Sequence, residues 1–173
     1  PIWVLIFIVK IGGSLPLPLL RSVGAVLGWL QWLLPTRASQ VTRENIRICF
    51  PQLPLAQQKQ LTRDSLMETG KTVTETALAW RQDHSSCLEM LQPAANEDAL
   101  KGAGGRGLIF VIPHLGNWEM LNHYLGQHFH LTHMYQTHPR RHLAQFILEG
   151  RNRTGTQFVP AATEGIREQL KVL

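Results

Sequence analysis

His114 and Glu119 stand five positions apart, with Leu115, Gly116, Asn117 and Trp118 between them. An imidazole and a carboxylate are the parts of a general base. A carboxylate on one ring nitrogen fixes the tautomer and raises basicity, leaving the other nitrogen to accept a proton. Within one helix, residues five apart point about 140° apart and would not meet. With His114 in a loop and Glu119 in the first turn of the next helix, the ring can fold back to the carboxylate. The flanking residues predict that arrangement. Leu108 to Ile112 is a continuous apolar run rich in β-branched residues, which reads as a strand buried on both faces. Pro113 ends it. From Glu119 the pattern turns helical through Met120, Leu121, Tyr124 and Leu125. Gly116 lets the loop bend sharply, and Asn117 is placed to cap the helix. The open end of a strand in an α/β sheet is a usual place for chemistry. The spacing H-x4-E alone also occurs in ordinary surface pairs; the strand, turn and helix around it single it out.

The elements that must hold this pair follow from periodicity. After the motif helix, Phe129 to Tyr135 predicts a second strand. Thr137 is a candidate cap for a helix beginning at Pro139, with Leu143, Phe146, Ile147 and Gly150 facing inward and Gly155 as its stop. Gln157 to Val159 predicts a short third strand. Thr163 opens a last helix whose Ile166, Leu170 and Leu173 share a face. Alternating strands and helices from Gly107 onward predict an α/β fold, a mostly parallel sheet flanked by helices.

Upstream the pattern is helical. Leu19 to Leu34 forms an apolar helix ended by Pro35. It carries Trp29 and Trp32, and Gly24-x-x-x-Gly28 permits close helix approach. Tryptophans with Arg21 nearby suit a helix lying in a membrane interface, although a buried helix of a soluble domain gives the same pattern. Residues 2–9 are apolar but too few to span a bilayer, which takes about 20 residues. The expected division is therefore an apolar membrane-anchor segment at 1–35 and a second domain at 36–173. Arg37 to Cys49 continues as helix. Residues 55–81 form a long amphipathic helix with Leu66, Gly70, Val73, Ala77 and Trp80 as its packing stripe. Arg81 to Ser86 is a polar break, followed by a short helix over Cys87 to Leu91 that Pro93 ends.

With 173 residues the chain can bury one core. A formal charge of +5 points to an anionic partner. The basic residues are scattered without an aromatic-plus-basic module, which disfavours nucleic acid. A membrane surface, a phosphorylated lipid or an acidic carrier protein fits the charge as well. Cys49 and Cys87 make no disulfide framework, and Cys49, between Ile48 and Phe50, is expected to be buried. Gly102 to Gly107 precedes a strand instead of following one, so a dinucleotide loop is rejected. His123, His128, His130, His133, His138 and His142 crowd one region. They lack H-E-x-x-H or Cys/His pairing, so solvated surface histidines are preferred to a zinc site. The chain opens on Pro1 and closes at Leu173 inside a helical pattern, which is expected of a piece lacking a C-terminal part.

His114-Leu-Gly-Asn-Trp-Glu119 resembles the H-x4-D/E motif of the glycerolipid and lipid A acyltransferase superfamily. Its wording, H-x-G-N-W-E, is similar to the late lauroyl/myristoyl-type lipid A acyltransferases of Gram-negative bacteria. That branch also uses Glu where the wider superfamily mostly has Asp. Arg43-Glu-Asn-Ile-Arg-Ile-Cys-Phe-Pro51 is similar to the branch's R-x-N-L-x-x-C-F-P segment, and Arg151-Asn-Arg-Thr-Gly155 to its R-x-R-x-G segment. The resemblance implies acyl transfer from an acyl carrier protein thioester to a hydroxyl of an anionic, phosphorylated lipid A precursor, at the cytoplasmic face of the bacterial inner membrane. His114 and Glu119 would be catalytic. Arg151 and Arg153 would supply positive charge to an oxyanion or phosphate, and Asn117 would hold the loop. Neither a metal nor a cofactor is implied. A lysophospholipid or another glycolipid is the alternative acceptor; a non-catalytic membrane scaffold is the other reading.

Overall fold

The computed structural model describes Ile6, Phe7, Val9, residues 11–92 and residues 107–172. Most of the apolar run at 2–9, Pro93, the Gly102–Arg106 stretch and Leu173 lie outside the described residues. The chain divides into two compact units, Val9–Leu78 and, from Ala79, the remainder to its C-terminus.

The first unit is helical. α1 is Leu17–Leu33, with Pro18 near its start, where the missing N–H costs nothing. α2 is Arg37–Cys49; the Thr36 hydroxyl accepts from the Ser39 N–H and satisfies one orphan donor of its first turn. The two meet at 80° across residues 34–36. α3 is Leu55–Arg81. As the spacing predicts, Gly24 and Gly28 let α1 lie directly on α3. A Cβ at Gly24 would stand 2.6 Å from Lys71 Cα, and one at Gly28 2.5 Å from Met67 Cα. The close approach lets the Thr74 hydroxyl donate to the Leu20 carbonyl at 2.8 Å, beside an Arg21–Glu75 ion pair at 2.6 Å. Leu20, Leu66, Ala77 and Leu78 form the core. The expected stripe needs one correction: Val73 is exposed, and Thr74 takes its place against α1. The glycine contact fixes the helix's rotation and so outranks the apolar count. Cys49 is also exposed, contrary to expectation. α2 buries only Ser39 and Ile46, and its last turn runs past the packed region. The opposite face of α1 exposes Val26, Leu27, Trp29 and Leu30. No single described helix is long and apolar enough to cross a membrane.

The second unit carries the motif. α4 is His84–Glu89, starting earlier than expected because the Asp83 carboxylate accepts from the Ser86 N–H and caps it. Burial pushes the Cys87 thiol on this helix up to about 11, with the Asp83 charge adding to the effect. α5 is Trp118–His128 and β1 is Thr132–Tyr135. α6 is Arg141–Arg151, followed by a 3-10 turn at Asn152–Thr154. β2 is Gln157–Pro160 and α7 begins at Thr163 and ends at Val172. β1 and β2 pair in parallel, Thr132 opposite Gln157 through Tyr135 opposite Pro160, with α6 as the crossover that a parallel pair needs. The parallel α/β unit is therefore present, but among the described residues its sheet has two strands and most of the chain is helical.

Leu108 to Ile112 is not in that sheet. Ile109 and Val111 are exposed while Phe110 and Ile112 are half-buried, with the Phe110 ring 5.1 Å from Phe129. The run alternates like a one-sided strand; no described segment pairs with it, so continuous apolarity overstated its burial. α6 starts at Arg141 instead of Pro139 and takes no side-chain cap from Thr137; the Arg140 N–H instead donates to His138 Nδ1. α7 turns Ile166 and Leu170 outward, because Gly165 must face the Pro160 carbonyl closely.

Glycines set the remaining contacts. Gly155 takes the left-handed conformation (φ 73°) that ends the helix before β2, as expected. Gly126 on α5 abuts the Thr154 carbonyl, and Gly150 on α6 abuts Trp80, whose ring meets Phe146 edge-on at 6.2 Å. Gly126→Ala would drive a methyl into a backbone carbonyl that cannot yield without moving the 3-10 turn. It should cost about 1–3 kcal/mol of stability, read as a lowered denaturation midpoint at unchanged m-value.

Candidate active site

The structure brings two of the sequence-predicted residues into direct contact, and they are Glu119 and Arg151. Arg151 Nη2 donates to Glu119 Oε1 at 2.6 Å, and its Nε reaches Oε1 and Oε2 at 3.1 and 3.2 Å. Asn122 Nδ2, one turn along α5, donates to Oε2 at 3.5 Å. The carboxylate is 4% exposed and the guanidinium side chain 15%. The Arg151 guanidinium carbon lies 4.9 Å from the centroid of Trp118 and 5.7 Å from that of Phe158, so aromatic faces flank the cation. Local sequence explains the placement. Trp118 and Glu119 open α5, Arg151 closes α6, and the turn that Gly155 stops brings Phe158 on β2 alongside.

His114 is placed differently. It is exposed, in the turn where the Leu115 N–H donates to the Pro113 carbonyl and Gly116 adopts φ 62°. The sharp bend expected of Gly116 is present. The His114 ring meets Trp118 edge-on at 5.1 Å. Trp118 thus touches both His114 and Arg151. The Glu119 carboxylate is hydrogen-bonded by Arg151 and Asn122 and, among the described residues, not by His114. Asn117 occupies the N-cap position of α5 without a side-chain cap, and its Oδ1 is buried without a partner. Arg153 is apart from the pair; its Nη1 donates to the Arg81 carbonyl at 2.7 Å.

A cleft of about 310 Å3 opens beside Arg151. Tyr135 to Pro139 form one wall, and Ala144, Ile147, Leu148 and Arg151 of α6 form the other. Both Nε and Nη2 of Arg151 are taken by Glu119. Among the described residues, Nη1 has no hydrogen-bond partner and is the nitrogen left to bind an oxygen of another molecule.

Not all the histidines are solvated, as the sequence suggested. His123 is buried and stacked on His84 with ring centroids 5.4 Å apart. Its Nε2 lies 3.1 Å from the Ala79 carbonyl, which can only accept, so Nε2 carries the proton. Its Nδ1 then accepts from His84 Nδ1 at 3.2 Å. His133 stacks on Phe158 at 4.8 Å, and its buried Nε2 has no partner. Burial lowers its pKa, and the Arg151 charge lowers it further. Periodicity carried no signal for His84, Asn122, His123, His133 or Phe158 as neighbours of the site.

The family model described as bacterial lipid A biosynthesis acyltransferase matches residues 1–173. The chain belongs to the bacterial lipid A biosynthesis acyltransferase family. A lipid A biosynthesis acyltransferase of Haemophilus influenzae is 25% identical over 161 residues, covering 92% of this chain and 51% of the relative. A lipid A biosynthesis palmitoleoyltransferase of Escherichia coli is 23% identical over 148 residues, covering 84% of this chain and 48% of the relative. A lipid A biosynthesis lauroyltransferase of Escherichia coli is 24% identical over 78 residues, covering 45% of this chain and 26% of the relative. The chain spans about half the length of the first two relatives.

Two outcomes follow from the geometry. Arg151→Met keeps the stem but leaves the Glu119 carboxylate buried and unpaired; such a loss costs about 3–5 kcal/mol, measurable by chemical denaturation. The buried His123 makes stability depend on pH. Burial lowers the His123 pKa below 6.5, outweighing the Ala79 hydrogen bond, and the His84 charge lowers it while Glu119 and Asp83 oppose. A depressed folded pKa means the unfolded chain binds the proton first. This contribution should be complete above pH 6.5 and be lost as the pH falls from 6.5 through the folded value. His123→Gln should flatten that part of a stability-versus-pH curve.

Proposed function

We propose that this site transfers a fatty acyl group from a thioester on acyl carrier protein to a hydroxyl of a phosphorylated lipid A precursor. The observation that carries the reading is the shared contact of Trp118, whose ring meets both the exposed His114 ring and the Arg151 guanidinium that is locked to Glu119. Family membership supports the reaction class, and the names of the relatives support a lipid A acceptor.

His114 takes the proton from the acceptor hydroxyl as its oxygen attacks the thioester carbonyl. The substrate supplies the nucleophile, so no enzyme serine is required. The carbonyl oxygen gains negative charge, the carbon–sulfur bond breaks, and the carrier thiolate leaves with the proton held by the imidazolium. Glu119 has about four lone-pair sites on two oxygens. Arg151 and Asn122 occupy only part of them, so a ring N–H of His114 has an acceptor when the Gly116 loop closes; catalytic hydrogen bonds often tighten only with substrate bound. Arg151 Nη1 and Asn117 are the groups for the developing oxyanion or a substrate phosphate, with Arg153 as a further cation. Residues 36–173 serve as the acyltransferase domain. The 1–35 segment serves as the membrane contact, laying the exposed apolar face of α1 into the interface at the cytoplasmic face of the bacterial inner membrane.

The test uses membranes containing the protein, labelled acyl carrier protein thioester and a lipid A precursor. His114→Ala should lower the transfer rate by about 10²–10⁴-fold without lowering the melting temperature, since the ring is exposed. Glu119→Gln should lower it less. Transfer that survives His114→Ala would sink the mechanism, and transfer to a lysophospholipid alone would replace the acceptor.

A further inference from the structure

We infer that the cleft beside Arg151 seats the alkyl chain of the transferred acyl group, and that Ala144 on α6 sets how long a chain fits. The inference rests on the acyl-transfer reading of the same site and adds where its substrate lies. Ala144, Ile147 and Leu148 stand at positions i, i+3 and i+4 of α6, so they share one face and line the cleft together. One turn further along the helix the same face ends at Arg151, about 10 Å from Ala144 at the helical rise. The wall is thus apolar along its length and cationic at one end. Opposite it, Tyr135 and Pro139 add apolar surface, while exposed Gln136 and Thr137 mark the rim.

An amphiphile matches this polarity in one orientation. Its carbonyl oxygen meets the free Nη1 of Arg151 beside Trp118, and its hydrocarbon runs back along Leu148 and Ile147 toward Ala144. Reversing it would bury the carbonyl without a donor and set methylenes against a guanidinium. A sugar phosphate headgroup fits less well, because Arg151 is the one Lys or Arg lining the cleft and the other hydrogen-bonding side chains, Tyr135, Gln136, Thr137 and His138, all stand on the opposite wall. The cleft is near the lower end of ligand-pocket volumes, about 300–1,000 Å3. At that size a side chain added at Ala144 closes part of it. Ala144 is the smallest side chain on the wall and stands farthest from Arg151, so its size limits chain length and leaves the carbonyl end untouched.

Two measurements test this. The first gives membranes containing wild type or Ala144→Phe a series of acyl carrier protein thioesters of increasing chain length. Relative to wild type, the variant should lose at least about tenfold more on the longest donor than on the shortest, since single methylenes are discriminated by about 10–200-fold in apolar pockets. A loss equal at every length, or no change in preference, would overturn the inference while leaving acyl transfer intact. The second does not require turnover or a variant. A donor with a photoreactive group at the chain terminus is irradiated with the wild-type protein, and the labelled peptide is sequenced. Labelling within Tyr135–Pro139 or Ala144–Leu148 supports the cleft even if no acceptor is acylated, in which case the reaction reading fails and the binding site stands. Labelling confined to other segments overturns it.

Discussion

The ion pair between Glu119 and Arg151 is the constraint on which the motif unit depends. Removing two charges from water is costly, and their attraction offsets that cost only when geometry is good and the remaining lone pairs are satisfied. The geometry is good, since the guanidinium engages the carboxylate through two nitrogens, and Asn122 adds a third donor while leaving acceptor capacity on the carboxylate. Each charge also sits at the helix end that favours it. Glu119 is in the first turn of α5, where the macrodipole is positive, and Arg151 is at the close of α6, where it is negative. The start of one helix is thereby tied to the end of another 32 residues later in sequence. Gly126 against Thr154 and the left-handed Gly155 serve that closure, because the turn after Arg151 must pass close to α5 and then reverse into β2.

Such a pair divides the site into a fixed part and an accessible part. Glu119, Arg151 and Asn122 satisfy one another, and Trp118 and Phe158 exclude water from the cation's faces. His114 has none of that support. It is exposed beside Trp118 on a loop that Gly116 bends, and a group that must exchange protons with an incoming molecule needs that access. Burial therefore falls on the residues that hold position, and exposure falls on the residue that reacts in the proposed mechanism.

Much of this was legible in the sequence, and the failures have a common cause. Signals carried by neighbours along the chain were readable: the α1 and α3 helices, the Gly24 and Gly28 approach, the bend at Gly116, the stop at Gly155 and the two short strands. Signals that need a partner from elsewhere were not. Leu108 to Ile112 has the composition of a buried strand, yet a strand is made by its neighbours, and here Ile109 and Val111 are exposed. Val73 and Thr74 differ by one residue, and only the glycine contact with α1 decides which faces inward. Glu119 and Arg151 were both picked out, but as orienter and oxyanion group; their mutual pairing across 32 residues left no periodic trace. The stacked His84 and His123, 39 residues apart, were hidden for the same reason.

The charge of the chain acts at two ranges. The formal charge is +5, yet the one cation lining the cleft is neutralised by Glu119. A paired guanidinium attracts a distant anion weakly, but it still directs the hydrogen bond of its remaining nitrogen. In the proposed mechanism Arg151 therefore fixes the direction and position of the substrate oxygen that reaches it. Long-range attraction falls to exposed groups such as Arg140, Arg141 and Arg153, whose fields decay over a Debye length of about 10 Å at 0.1 M salt. Added salt should then slow the arrival of an anionic partner far more than it loosens the Glu119–Arg151 geometry, because screening acts on exposed charges and hardly on buried ones. Composition speaks only to the first of these ranges, and only the fold could supply the second.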